Sequence, residues 1–436
     1  MDQSHSKIYD AIIIGAGISG VTFLKYARDK GLNCLVLEKQ NGVGGLWKRL
    51  PSWQDIQNRT VDFAINGISI YGEKQSDVHQ YVMDWVAQYE LASHIKLNCQ
   101  VTSTAWEEDH WLIQTSDGPF LARYVIAASG VQNKPWTPPV DRSDVSVREW
   151  HSSGIQQPEK LADKVVTVVG GGASAYDLLE LAIKHEARKI NWVYRSAKWF
   201  LPSTKSKQAN KLNDLRLLSR VQRMKASLDS VNKAFGNIID KKYEHFELQE
   251  IQPADPLDLH KDQVIPGRPL MIQQFDTIQR HTGEVQAING KHIVLKNGER
   301  LETDVLLWGT GYRMDLSYLN LPEYNNITRL EDLYPRLGSH VRSLDYPNLF
   351  FPGMRLIEST TATPFFTAIV SKSIVAHILG QCEIPLKNIP HHVVHWDLVR
   401  FFGMFYHSFY TRLTSKMKYD LLPWWNGMFP KRQLRI

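Results

Sequence analysis

Cysteine is scarce in this 436-residue chain: only Cys34, Cys99 and Cys382 occur, an odd number at wide separation. That excludes a disulfide framework and any C-x-x-C zinc or redox motif, and it suits a reducing, cytoplasmic setting. Long apolar runs are missing as well. No uninterrupted stretch reaches the roughly 18 residues that a membrane-spanning helix needs. The N-terminal run is broken by Gly15 and Gly17, so no signal peptide is expected. Repeats, low-complexity tracts, a nucleophile triad and a metal-ligand cluster are also missing, and no metal is expected. Charge of one sign is only slightly in excess, with 51 Lys and Arg against 45 Asp and Glu. Spread over this length and without a nucleic-acid motif, that excess points to no nucleic-acid partner. What is present is core material. Hydrophobic residues make up 43% and charged residues 22%, a globular balance at a length that suits two or three domains.

The N-terminal stretch IYDAIII (8–14) runs apolar without alternation, as a strand buried on both faces does. GAGISG follows, then a helix from Ile18 to Lys30 stopped by Gly31, then a strand 35–37 ending at Glu38. In this βαβ unit Gly15 permits a tight turn, Gly17 lets backbone approach a pyrophosphate, and Gly20 lets the helix pack on the strand. The helix N-terminus offers N–H groups to the phosphates. Glu38 stands where a carboxylate accepts from ribose hydroxyls. A glycine turn in an unrelated α/β protein is the plainer reading. The full set of strand, helix, second strand and terminal acid favours a dinucleotide.

A second unit repeats the pattern. VVTVV (165–169) leads into GGGASA, with Gly170, Gly172, Ser174 and Ala175, and a helix runs through Lys184. The next strand (190–194) ends at Arg195 rather than an acid. A guanidinium there suits a 2′-phosphate, which a carboxylate would repel. The first cradle is therefore expected to hold FAD and the second NADPH. A surface arginine without a ligand is the plainer reading of Arg195.

The expected fold is α/β, with two Rossmann-like dinucleotide-binding domains, the NADPH domain inserted into the FAD domain, plus a helical insertion. Residues 1–155 form the first part of the FAD-binding domain. Residues 160–300 form the NADPH-binding domain, and residues 301–436 return to the FAD-binding domain. The charged stretch of about 205–257 reads as the insertion, either a lid over the substrate entrance or a solvated helical pair. Antiparallel strands are expected over 105–130 with a turn at Asp117-Gly118. A hairpin pattern is expected over 283–308 with turns at Asn289-Gly290 and Asn297-Gly298, and a helix from Thr363 to about Leu379. The aromatic and basic tail, 396–436, either packs as a C-terminal helix or touches a membrane surface peripherally.

These residues resemble class B flavin-dependent monooxygenases, which include flavin-containing, N-hydroxylating and Baeyer–Villiger enzymes. The resemblance spans nearly the whole chain. It rests on GAGISG with Glu38, on GVGGLWK (Gly45, Leu46, Trp47), and on AASGVQNKPWTPP (Ser129, Gly130). GGGASA with VYRS, DVLLWGTGYR (Gly311) and YPNLFFPG complete it. Two departures stand out. WGTGY carries Trp308-Gly309 in place of an alanine-rich lead. In the family's linker fingerprint His151 is kept, while Val145, Val147 and Ile155 replace a phenylalanine, a glycine and an aromatic.

The resemblance implies an NADPH-dependent monooxygenase that forms a C4a-(hydro)peroxyflavin and oxygenates a small organic substrate with O2, at nitrogen or sulfur. Baeyer–Villiger or carbon oxidation is the neighbouring outcome. It also implies that Lys39 and Val101 line the first cofactor site and that the helix from Thr363 aims its N-terminus at the flavin. Gln57 or Asn58 would support the reacting oxygen as an amide, and His151 would act in the NADPH-bound state. Each has a plainer reading, as loop polar groups and a structural linker histidine. The rivals are a disulfide-type reductase, which needs a cysteine pair beside the flavin, a reductase or oxidase without oxygen transfer, and a flavoprotein without turnover.

Overall fold

A computed structural model describes residues 8–56, 70, 72–204, 228–258, 262, 264–353 and 363–387. The chain builds two α/β units, each around a sheet whose central strands are parallel. In the first, strand β1 (Ile8–Ile14) lies between β2 (Cys34–Leu37) and β3 (Gly118–Ala127), parallel to both. The lack of alternation in β1 has a direct cause: both faces are covered. Ile13 enters one core with Phe23, Val36, Trp85 and Ile374. Ile12 and Ile14 enter another with Trp111, Leu319 and Phe351. Each such side chain contributes roughly 1.5–3 kcal/mol on burial.

Helix α1 (Ile18–Asp29) crosses between β1 and β2. It stops where the Gly31 N–H donates to the Arg28 carbonyl and the Leu32 N–H returns to Ala27, 3.1 Å away, an ending that glycine makes easy. Helix α1 packs against the helix Thr363–Ile378, so the C-terminal part of the described chain closes back on the first unit.

The second unit holds five parallel strands in the order Ile278–Thr282, Lys189–Tyr194, Val165–Val169, Val305–Trp308 and Arg148–His151. Its outermost strand, Arg148–His151, lies inside the 1–155 stretch read from sequence as part of the first unit, and Val305–Trp308 lies beyond 300. The chain thus crosses into the second unit earlier, and leaves it later, than sequence alone suggested. The local reason is that Arg148–His151 is a short edge strand of mixed polarity, too brief to carry a period. Val305–Trp308 is apolar and buried throughout, the pattern of a central parallel strand rather than of a hairpin.

The hairpin expectations are met elsewhere. His110–Thr115 and Gly118–Ala127 pair antiparallel across Asp117-Gly118. Val285–Asn289, His292–Leu295 and Arg300–Glu302 pair across Gly290 and Gly298. Of the charged insertion, residues 205–227 lie outside the described residues. The helix Leu228–His245 that follows is anchored to the second unit: Ile239 and Tyr243 are fully buried, and the Tyr243 hydroxyl accepts from the Phe200 N–H at 3.2 Å. The 396–436 tail lies outside the described residues. Among the described residues, no helix is long and apolar enough to cross a membrane.

Candidate functional site: a cleft joining two glycine-rich turns

A cleft of about 1520 Å³ runs between the two units and is lined by both glycine-rich turns. Gly15 and Gly17 meet it from the first unit, Gly170, Gly172 and Ser174 from the second. Neither following helix is capped by a side chain or carries an acid in its first turn. Their N–H groups and dipoles therefore remain available to anions.

The glycines act by the space they leave. A Cβ on Gly20 would lie 1.9 Å from the Gly15 carbonyl oxygen, so Gly20 sets the approach of α1 to β1 without lining the cleft. A Cβ on Gly172 would meet nothing within 4 Å. That open volume sits where a pyrophosphate would be received. Ala175 is fully buried behind it. Gly45 faces Gly17 backbone to backbone, its added Cβ falling 3.0 Å from the Gly17 Cα. The Gly44 N–H donates to the Ala16 carbonyl at 2.9 Å. This pairing presents Gly45, Leu46 and Trp47 to the cleft.

Glu38 lines the cleft although only 5% exposed. One carboxylate oxygen accepts from the Ala16 N–H at 2.7 Å and the other from the Gln40 N–H at 2.8 Å. A carboxylate has about four lone-pair sites, so Glu38 is fixed by backbone yet can still accept from a ribose. Lys39, Val101, Ser129 and Gly130 line the same end. There the half-buried Tyr318, unassigned from sequence, donates its hydroxyl to Ser129 Oγ at 2.9 Å; desolvation holds its own pKa up. Nearby, Ser317 hydrogen bonds hold the Asp315 carboxyl below its ordinary range, helped by Lys134.

At the other end Arg195 lines the cleft with its side chain 75% exposed and its Nη1 3.3 Å from Glu284 Oε1. Lys198, Glu284 and Lys296 line it too. Sequence reasoning passed over these three because they stand on loops where no spacing marks them, and only folding brings Glu284 and Lys296 to Arg195.

His151 is not among the residues lining the cleft. Its Nε2 lies 2.8 Å from the Gly311 carbonyl oxygen, its Nδ1 2.8 Å from Ser153 Oγ, and its ring meets Tyr312 edge-on. Gly311 itself lines the cleft. His151 thus ties the crossover strand to the segment that carries Gly311. Burial lowers its pKa. Gln57 and Asn58 lie outside the described residues. A helix begins at Thr363, and Thr367 on it reaches the cleft; the Thr363 side chain is outside the described set.

The sequence profile of the pyridine nucleotide-disulphide oxidoreductase family matches residues 12–252. An oxidoreductase of Bacillus subtilis (strain 168), CzcO, is 24% identical over 72% of this chain and 84% of its own length. The FAD-binding monooxygenase BOA2 of Botryotinia fuckeliana is 27% identical over 78% of this chain and 73% of its own. Among solved structures, that of OTEMO complexed with FAD and NADP superposes with a TM-score of 0.68 at 17% identity, covering 86% of each chain. The motif-based resemblance to class B flavin-dependent monooxygenases is thereby matched in sequence relatives and in fold.

Proposed function

The chain belongs to the pyridine nucleotide-disulphide oxidoreductase family, and from that footing we propose that it is an FAD- and NADPH-dependent monooxygenase. Its substrate in this reading is a small organic molecule oxygenated at nitrogen or sulfur. The observation that carries the reading is the single cleft lined by two glycine cradles, with Glu38 at the end of one second strand and Arg195 at the end of the other.

The residues present fit both cofactors. Gly15 and Gly17 with the uncapped start of α1 would hold the FAD pyrophosphate, and Glu38 its adenosine ribose. Gly170 and Gly172 would hold that of NADPH, with Arg195 toward the 2′-phosphate. When bound, FAD supplies the redox chemistry and the activation of O2. The chain's own part is to bind, orient and exclude water. Trp47 and Leu46 would cover the flavin from one side. The helix beginning at Thr363 would direct its N-terminus toward charge developing on it. Gln57 and Asn58 remain the candidates for an amide near the reacting oxygen.

The disulfide chemistry in the family's name does not extend to these residues. All three cysteines are free. Cys34 is buried with its pKa pushed up to about 12. Cys99 alone lines the cleft, and no second cysteine does. The relative BOA2, an FAD-binding monooxygenase, supports the oxygenase reading, and OTEMO, whose fold this chain shares, was solved with FAD and NADP.

Anaerobic mixing of the FAD-loaded protein with NADPH tests the two-cofactor reading. Bleaching of the flavin absorbance is expected; oxidised flavin that persists contradicts it. Aerobic incubation with amines, thioethers and ketones then separates nitrogen or sulfur oxygenation from Baeyer–Villiger or other carbon oxidation by product identity. Steady NADPH consumption with no oxygenated product from any class would mark a reductase or oxidase.

A further inference from the structure

The base at the end of the second cradle's strand is not alone. Arg195 follows Lys189–Tyr194, and the Gly283 N–H donates to the Tyr194 carbonyl at 2.9 Å. That bond fixes Glu284 beside Arg195, with Nη1 and Oε1 3.3 Å apart. Glu284 Oε2 also pairs with Lys296 Nζ, and the Lys296 N–H donates to the Glu284 carbonyl at 2.9 Å. All three side chains line the cleft. Two cations therefore share one carboxylate, and the cluster presents one net positive charge rather than two. The Lys296 contact, with smaller help from Arg195, holds the Glu284 carboxyl below its ordinary range, so it stays ionised near neutrality.

This arrangement bears on which dinucleotide the second cradle accepts. A 2′-phosphate reaching Arg195 and Lys296 has to displace or approach the Glu284 carboxylate, a like charge. An unphosphorylated ribose meets the opposite situation, since its 2′-hydroxyl can donate to that carboxylate, which lies beside Arg195, the residue that stands where NAD sites carry their ribose-binding acid. We infer that Glu284 sets the nicotinamide dinucleotide preference and keeps NADH usable beside NADPH. The inference rests on the proposal that the second cradle holds a nicotinamide dinucleotide.

The test is equilibrium titration of the FAD-loaded protein with NADP⁺ and with NAD⁺ by calorimetry, for wild type, Glu284→Gln and Arg195→Gln. Glutamine keeps the shape and removes the charge. In wild type the two affinities are expected to lie within about tenfold of each other. In Glu284→Gln the preference for NADP⁺ should rise about fivefold or more, the scale of one removed like charge near a solvated site. In Arg195→Gln the preference should move toward NAD⁺. A wild-type preference for NADP⁺ above about 100-fold, or a ratio unchanged within about twofold in Glu284→Gln, overturns the inference while leaving the cradle reading intact. Binding of neither dinucleotide by the FAD-loaded wild type overturns both.

Discussion

Gly309 faces Ala175 across the junction of the central strand Val305–Trp308 and the second cradle's helix, so closely that a Cβ on Gly309 would fall 2.8 Å from the Ala175 Cα and 3.0 Å from its Cβ. Alanine stands at the cradle's last motif position, and glycine stands in place of the alanine-rich lead; these two residues are the two sides of one contact. Gly309→Ala should destabilise the protein by about 1–3 kcal/mol through overpacking. Adding Ala175→Gly should recover part of that loss. Denaturant melts of the four combinations measure the coupling, and strict additivity would show that the two positions do not compensate.

Gly172 and Gly20 give opposite expectations from the same substitution. Gly172 has open space before it and an extended φ of −109°. Gly172→Ala should therefore leave the melting temperature close to wild type and weaken NADP⁺ binding about tenfold or more by filling the phosphate space. Gly20→Ala meets the Gly15 carbonyl and should abolish FAD retention together with folding of the first unit. A Gly172→Ala protein with unchanged NADP⁺ affinity would move the phosphate site elsewhere.

His151 predicts a pH dependence. Its Nδ1 accepts from the Ser153 N–H at 3.2 Å, which leaves Nε2 as the nitrogen that donates to Gly311. A second proton on Nδ1 would break the first of these bonds. Burial lowers the folded-state pKa, so the unfolded chain takes up its proton first as pH falls. The stabilisation is complete above the unfolded value of about 6.5. It is lost as pH drops through that value toward the folded one. Stability against pH for wild type minus His151→Gln should fall on acidification below about pH 6.5. A flat difference curve rules the linkage out.

How much of this was legible in the chain follows from where the information sits. Strand β1 and Val165–Val169 announce themselves because burial on both faces forces continuous apolar runs, and the adjoining glycines mark the turns. Glu38 and Arg195 follow by counting to the end of the next strand. The crossover strand Arg148–His151 was illegible, because four residues of mixed polarity carry no period and its partner lies more than 150 residues away, at Val305–Trp308. Glu284 and Lys296 were hidden for the same reason: only folding brings them to Arg195. His151 could be picked out by motif, but its place as a tie to Gly311 depends on a carbonyl whose position no sequence pattern gives.

Arg268, 1% exposed, is held by Asp177, with Nη2 2.8 Å and Nε 2.9 Å from Oδ1. It joins the segment after the insertion to the helix Ala173–Lys184. Asp177→Asn should cost about 1.5–3 kcal/mol, because it replaces a charge-assisted pair on a buried guanidinium with a neutral contact. The loss should fall on the second unit, seen as weakened NADP⁺ binding with FAD still retained. Loss of FAD and NADP⁺ binding together would show that the two units unfold as one.

The central claim, oxygen transfer to a small molecule driven by NADPH, is tested most directly by running the FAD-loaded protein under heavy-isotope O2 with NADPH and a panel of amines and thioethers. Product mass is then read by spectrometry. The account predicts a product one labelled oxygen heavier than its substrate, formed in step with NADPH consumed. Label recovered only in peroxide or water, with every substrate unchanged, would contradict it.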